Sequence, residues 1–143
     1  MIYLGSDHGG FELKQKIKAH LESKGVKSVD LGVFASEPPA DYPDIAREVS
    51  EKVLENHGTK GILICGTGSG MCMAANKVKG VRAANCESEP MAEMARKHNN
   101  ANVLCLGGRM LDAAKATAIV DMFLKTEFEA EERHVRRVQK MDS

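Results

Sequence analysis

Short apolar runs alternate along the chain with segments whose apolar residues recur at helical spacing. Ile2–Leu4 is followed by Phe11, Leu13, Ile17 and Leu21, and Gly25 stands where that helix must stop. Val26–Leu31 is the next strand. After the loop Gly32–Ala40, Asp41 is placed as an N-cap with Pro43 in the first turn, and Ile45, Val49 and Val53 continue one helix face to Gly58. Gly61–Cys65 is the third strand, and the helix after it runs through Ala74 and Ala75 to about Lys79. Val81–Cys86 is the fourth strand. Ser88 caps a helix with Pro90 early and Met91, Met94 and Ala95 facing inward. Val103–Leu106 is the fifth strand and Leu111–Lys125 a further helix. A charged last helix begins near Glu129, with Val135, Val138 and Met141 as its apolar face.

Strands joined through helices pair in parallel with right-handed crossovers, so the pattern predicts one α/β domain over 1–143. It is doubly wound, Rossmann-like and three-layered, with a five-stranded parallel sheet plus a C-terminal helix. The common strand order for such a sheet is 2-1-3-4-5. Ligands in open α/β sheets bind beyond the carboxyl ends of the strands where the order reverses, here between strands one and three. The loops leaving those strands are Gly5-Ser6-Asp7-His8-Gly9-Gly10 and Cys65-Gly66-Thr67-Gly68-Ser69-Gly70, so Asp7, His8 and Cys65 are expected to share a cleft.

Composition narrows the partners. The 143 residues are 43% hydrophobic and 28% charged, and 20 Lys+Arg balance 20 Asp+Glu, which leaves no charge signature for nucleic acid or a membrane surface. A small molecule is the expected partner. The opening run Met1–Leu4 is too short for a signal peptide or a membrane span, and a cytoplasmic protein is expected. Cys65, Cys72, Cys86 and Cys105 form no C-x-x-C, and three of them lie in or at the ends of apolar runs, as free buried thiols do. Neither a disulfide framework nor a metal cluster is expected from their spacing.

The segment Gly61–Gly70 carries most chemical information. An apolar strand delivers Cys65 into a turn rich in glycine whose backbone amides stabilise negative charge on a thiolate, a phosphate or an enolate. Other glycine loops fit less well. A dinucleotide fingerprint would need glycine where Met71 stands, although Glu87 lies near the expected acidic position. A Walker A loop would need Gly-Lys-Ser/Thr, and a tyrosine-phosphatase-like loop an arginine at Met71.

The histidines divide. His20 and His57 suit structural places on helices. His98 complements the end of a helix, but Asn99 and Asn100 follow it. Arg133 and Arg137 project from one face of the last helix. They suit either a solvated helix with Glu129–Arg133 and Glu132–Arg136 pairs or a guanidinium clamp for phosphate.

Taken in order, Ser6-Asp7-His8-Gly9-Gly10-Phe11-Glu12-Leu13-Lys14, Asp41-Tyr42-Pro43-Asp44, Ile64-Cys65-Gly66-Thr67-Gly68-Ser69-Gly70, Ala74-Ala75-Asn76-Lys77, Arg96-Lys97-His98-Asn99-Asn100-Ala101-Asn102 and Arg133-His134 resemble the ribose-5-phosphate isomerase B family. That group includes the galactose-6-phosphate isomerase subunits, and the resemblance spans nearly the whole chain. It implies interconversion of ribose 5-phosphate and ribulose 5-phosphate in pentose phosphate metabolism, through an enediolate and with no cofactor or metal. Allose 6-phosphate or galactose 6-phosphate is the alternative substrate.

By the same resemblance Cys65 is the base between C1 and C2, and the amides of Gly66, Thr67, Gly68, Ser69 and Gly70 hold the enediolate oxygen. His98 and Asp7, assisted by Thr67, open the sugar ring. His8, Arg109, Arg133 and Arg137 bind phosphate, and Asn99 bonds a sugar hydroxyl. Some relatives carry a glutamate base where Met71 stands. The family's Gly-Gly before its Arg-His is replaced here by Ala130-Glu131-Glu132, which brings Arg136 into consideration beside Arg137. Because a helix between strands four and five ends at the edge opposite the site, His98 and Asn99 are expected to serve a neighbouring subunit. The expected assembly is a homodimer with shared sites, or a tetramer built from it.

Overall fold

The computed structural model describes all 143 residues. Five strands alternate with helices: β1 (Ile2–Ser6), α1 (Phe11–Ser23), β2 (Ser28–Asp30), α2 (Tyr42–Glu55), β3 (Lys60–Cys65), α3 (Ser69–Ala75), β4 (Ala83–Asn85), α4 (Glu89–Lys97), β5 (Val103–Gly107), α5 (Ala113–Lys125) and α6 (Glu132–Asp142). Every strand pair is parallel. The three-layer α/β class agrees with the expectation from the sequence. No helix is long and apolar enough to cross a membrane.

The strand order is β2-β1-β3-β5-β4, which corrects the expected order at one end. Burial supplies the reason. All five residues of β5 are buried, whereas all three of β4 are partly exposed. A continuous apolar strand gains most between two neighbours, and a short half-exposed one is tolerated at an edge. The reversal between β1 and β3 is unaffected. Turning back from β4 to β5 moves α4 to the opposite face, because right-handed crossovers fix the helix layer by the direction of travel.

Side-chain alternation along the strands builds two cores. Ile62, Ile64, Leu104 and Leu106 point to the layer of α1, α4 and α5, where Leu13, Ile17, Ala92, Ile119 and Phe123 are buried. Leu63, Cys65, Val103 and Cys105 point to α2 and α3, against Ala46, Val49, Val53, Met71 and Ala75. Burying a Leu, Ile or Phe side chain in such a layer contributes about 1.5–3 kcal/mol before entropy is counted. All four cysteines are free, with only Cys72 partly exposed.

Several local expectations change. Met91 and Met94 of α4 face outward, 47% and 37% exposed, because Ala92, Ala95 and Arg96 form its buried face. Met141 is likewise exposed, and His134 with Val138 forms the inner face of α6. α3 stops at Ala75, short of Lys79, and α5 begins at Ala113, where the Asp112 carboxylate accepts the Lys115 amide at 2.8 Å. The Ser88 cap holds, its hydroxyl accepting the Met91 amide at 3.3 Å. Asp41 precedes α2 without a side-chain cap.

Lys14 is fully buried on α1. Its Nζ donates to Asp30 Oδ1 at 2.7 Å and to the Val33 carbonyl, while the Gly32 amide donates to the same Asp30 oxygen at 2.9 Å. Burial lowers the lysine's pKa despite the opposing pull of Asp30. Removing either partner would strand a buried charge. This pair fixes the start of the loop that leads to Ala40.

Candidate active site

Three loops meet at the carboxyl ends of β1, β3 and β5. Their backbones are tied directly together: the Asp7 amide donates to Ile64 O at 3.3 Å, the Gly108 amide to Cys65 O at 2.7 Å, and the Arg109 amide to Gly66 O at 3.0 Å. The approach is close enough to require glycine. A Cβ on Gly10 would lie 2.3 Å from the Ile64 carbonyl oxygen.

Cys65 ends β3 and is 5% exposed. Its Sγ accepts the Gly68 amide at 3.1 Å, an arrangement that stabilises an anionic sulfur. The turn is possible because Gly68 adopts φ +87°, and a Cβ there would meet Asn85 Oδ1 at 2.4 Å. The Ser69 amide donates to Thr67 Oγ1 at 3.3 Å. With only seven residues in α3, the loop amides rather than a long helix dipole supply the local positive potential.

Asp7 is 7% exposed and folds back on its own loop, where Oδ1 accepts the Gly9 and Gly10 amides at 2.9 and 3.1 Å. His8 Nδ1 accepts the Ala40 amide at 3.2 Å, so the neutral ring carries its proton on Nε2 and presents a donor there. The Arg109 guanidinium spans the two glycine loops: a Cβ on Gly9 would lie 3.3 Å from one of its terminal nitrogens and a Cβ on Gly66 3.1 Å from the other. Asp7, His8, Cys65, Gly66–Gly70 and Arg109 are therefore gathered at one sheet edge, as expected.

His98 and Asn99 are not there. The Gly61 amide bonds Asn102 O at 3.0 Å, which sets the segment after α4 beside the beginning of β3. Cys65 lies four residues further along that strand, roughly 13 Å at the rise of a parallel strand. His98 instead stacks on His134, ring centroids 4.6 Å apart and planes within 5°. In α6, Arg133, Arg136 and Arg137 are exposed. Arg133 pairs with Glu131 rather than with Glu129. Glu129 turns toward Lys97, 4.0 Å away, because its backbone amide is fixed to Lys97 O. His20 is structural, bonded to Asp121 at 2.8 Å.

Three features of the structure were not evident in the sequence. Asn85, at the end of β4, holds its buried Oδ1 against Gly68 without a hydrogen-bond partner. Tyr42 packs its ring on Gly70, where a Cβ would lie 2.7 Å from Cε1. His98, Glu129 and His134 converge as a group able to hold a metal ion, although no spacing among them suggested one.

A buried thiol over backbone amides, a carboxylate and an arginine at the switch point define a site for proton transfer on a small anionic substrate. Residues 2–141 match the family described as Ribose/Galactose Isomerase. The chain belongs to that family. It is 51% identical over 141 residues to the probable ribose-5-phosphate isomerase B of Mycoplasma genitalium, covering 98% of this chain and 92% of that one. It is 44% identical over 138 residues to ribose-5-phosphate isomerase B of Escherichia coli K12, covering 96% and 91%.

Among solved structures, a ribose 5-phosphate isomerase from Thermotoga maritima superposes with TM-score 0.95 at 49% identity, covering 99% of this chain and 96% of the other. The Mycoplasma genitalium enzyme with bound ribulose-5-phosphate gives TM-score 0.93 at 51% identity, covering 98% and 92%.

Proposed function

We propose that this protein interconverts ribose 5-phosphate and ribulose 5-phosphate through an enediolate, without a metal, in the pentose phosphate metabolism of the cytoplasm. The observation that carries the proposal is the Cys65 thiol held by the Gly68 amide in the most polar loop of the sheet edge, in a chain half identical to a protein solved with ribulose-5-phosphate. Cys65 moves the proton between C1 and C2. The amides of Gly66, Thr67, Gly68, Ser69 and Gly70 take up the charge that develops on the oxygen. Met71 is fully buried in the helical layer and offers no competing base.

The closed sugar must open first. Asp7 draws the proton from the anomeric hydroxyl with Thr67 assisting, while His98 of a second subunit protonates the ring oxygen and Asn99 of that subunit bonds a hydroxyl. His8 and Arg109 take the phosphate from within the chain, and Arg133 and Arg137 close over it from the neighbour. The working unit is then a homodimer with shared sites, and a tetramer is a pair of such dimers.

The substrate is tested by comparing kcat/KM for ribose 5-phosphate and allose 6-phosphate on the purified protein. Ribose 5-phosphate should be preferred by at least about tenfold, since a site fitted to five carbons must displace its boundary for a sixth. Equal or better turnover of allose 6-phosphate would move the assignment to the hexose branch of the family.

The phosphate clamp has its own test. Arg137→Ala should raise KM about tenfold or more while kcat falls less, and free ribose should be a poor substrate for the parent protein, because binding at the phosphate fixes the distant reacting carbons. Ribose handled as efficiently as its phosphate would leave the arginines without a purpose.

A further inference from the structure

Three parts of the chain that spacing does not connect place metal-binding side chains together. His98 ends α4, Glu129 lies in the turn between α5 and α6, and His134 stands in the first turn of α6. One ligand atom from each lies within 4.8 Å of the other two. His134 is 4% exposed, and its Nε2 is buried with no hydrogen-bond partner. A buried polar atom left in that state is unfavourable, and coordination through Nε2 would satisfy it.

We propose that His98, Glu129 and His134 form an inhibitory site for a divalent transition-metal ion such as zinc. Two imidazole nitrogens and one carboxylate are a zinc donor set, with water completing a tetrahedron, whereas magnesium and calcium prefer oxygen ligands throughout. Donors around zinc at about 2.0–2.2 Å stand roughly 3.4 Å apart, so the three side chains draw together by about an ångström on binding, and because the imidazole lone pairs lie in ring planes that are parallel within 5°, they converge on one ion only when one ring turns out of the stack. Two of the three side chains are free to move. His98 and Glu129 are only half-buried, and the Lys97 ammonium 4.0 Å from Glu129 is already engaged by Glu93 at 2.9 Å. The backbone needs no rearrangement, since the Glu129 amide is bonded to Lys97 O at 3.0 Å and the His134 amide to Glu131 O at 2.9 Å.

The inhibitory consequence rests on His98 as the proton donor of ring opening, and the metal site itself does not. An imidazole whose lone pair is committed to zinc cannot cycle a proton. The ion therefore blocks a reaction that runs without it, and it also ties α6 to α4, raising thermal stability in proportion to occupancy.

Cobalt(II) titrated into chelator-treated protein should bind one equivalent per chain, with the visible absorption of a tetrahedral nitrogen and oxygen site and no strong thiolate band. Cys65→Ala should bind equally. His134→Ala should not, and the half-exposed Glu129→Gln, whose fold is not at risk, should bind about tenfold or more weakly. Chelator-treated protein should turn over fully, zinc should inhibit it, and Glu129→Gln should keep parental turnover while needing about tenfold more zinc for the same inhibition. No binding at 100 μM cobalt (about 5.5 kcal/mol of affinity), undiminished binding in Glu129→Gln, or loss of binding in Cys65→Ala would overturn the site. One-equivalent binding that leaves turnover intact would uphold the site and overturn the inhibitory role, and with it the assignment of His98. Activity abolished by chelator and restored by zinc would reverse the sign of the proposal.

Discussion

Replacing Cys65 with alanine is expected to lower kcat by about 10²–10⁴-fold, the contribution of a positioned general base, while KM for ribose 5-phosphate stays within a few-fold of the parent. The asymmetry follows from where the thiol acts. In the proposed mechanism Cys65 acts on the carbon that exchanges its proton while His8 and the arginines hold the phosphate, so its loss should fall on the transition state. A second thiol offers an internal control. Cys72 lies on α3 with its sulfur 3.4 Å from the Ala83 carbonyl, and the neighbouring Cys105 thiol draws its pKa down to about 7.

If Cys72 were the base, turnover would fall as pH drops through about 7, where that thiolate takes up a proton, and Cys72→Ala would remove the step. Cys72→Ala should instead keep the parental pH profile and rate. Turnover within a few-fold of the parent in Cys65→Ala would transfer the base to another residue.

The second large effect is the recovery of activity from two inactive proteins. Cys65→Ala and His98→Asn, each severely impaired alone, should regain about a quarter of parental activity when mixed in equal amounts under subunit exchange. Half of the dimers are then hybrids, and each hybrid has one site with both lesions and one with neither. The separation of His98 from Cys65 along β3 is what makes the experiment decisive. Should verified hybrids stay as inactive as their parents, His98 acts within its own chain or takes no part in ring opening.

The sheet edge was largely legible in the sequence. Strand periodicity and the reversal of strand order put the cleft between β1 and β3, and the two glycine-rich loops leaving those strands placed Asp7, His8 and Cys65 in it. Arg109 entered only through resemblance, since nothing in Gly107-Gly108-Arg109 reveals that the guanidinium will lie across Gly9 and Gly66.

The order of the last two strands was open to a closer comparison of their composition, with Val103–Gly107 wholly buried and Ala83–Asn85 not. Other features are invisible to periodicity because they depend on partners distant in sequence. Lys14 looks like a solvent-facing helix residue until Asp30 and the Val33 carbonyl surround it. Glu129 reads as a partner for Arg133 until its amide is fixed to Lys97. Met91 and Met94 look like core residues until Ala92, Ala95 and Arg96 are seen to form the buried face of α4.

The placement of β5 between β3 and β4 also bears on how the chain is made. β3 and β4 bond to β5 on its two sides and not to each other, so neither has its final partner until residues 103–107 arrive. A ribosome that has released about a hundred residues has thus left one side of β3 open, and Gly61–Cys65 of that strand are all buried in the finished fold. Such an edge recruits other chains. Translation arrest or proteolysis just before Val103 should therefore yield a fragment far more prone to aggregate than its length suggests, and the five residues that follow act as the closing piece that ends that exposure.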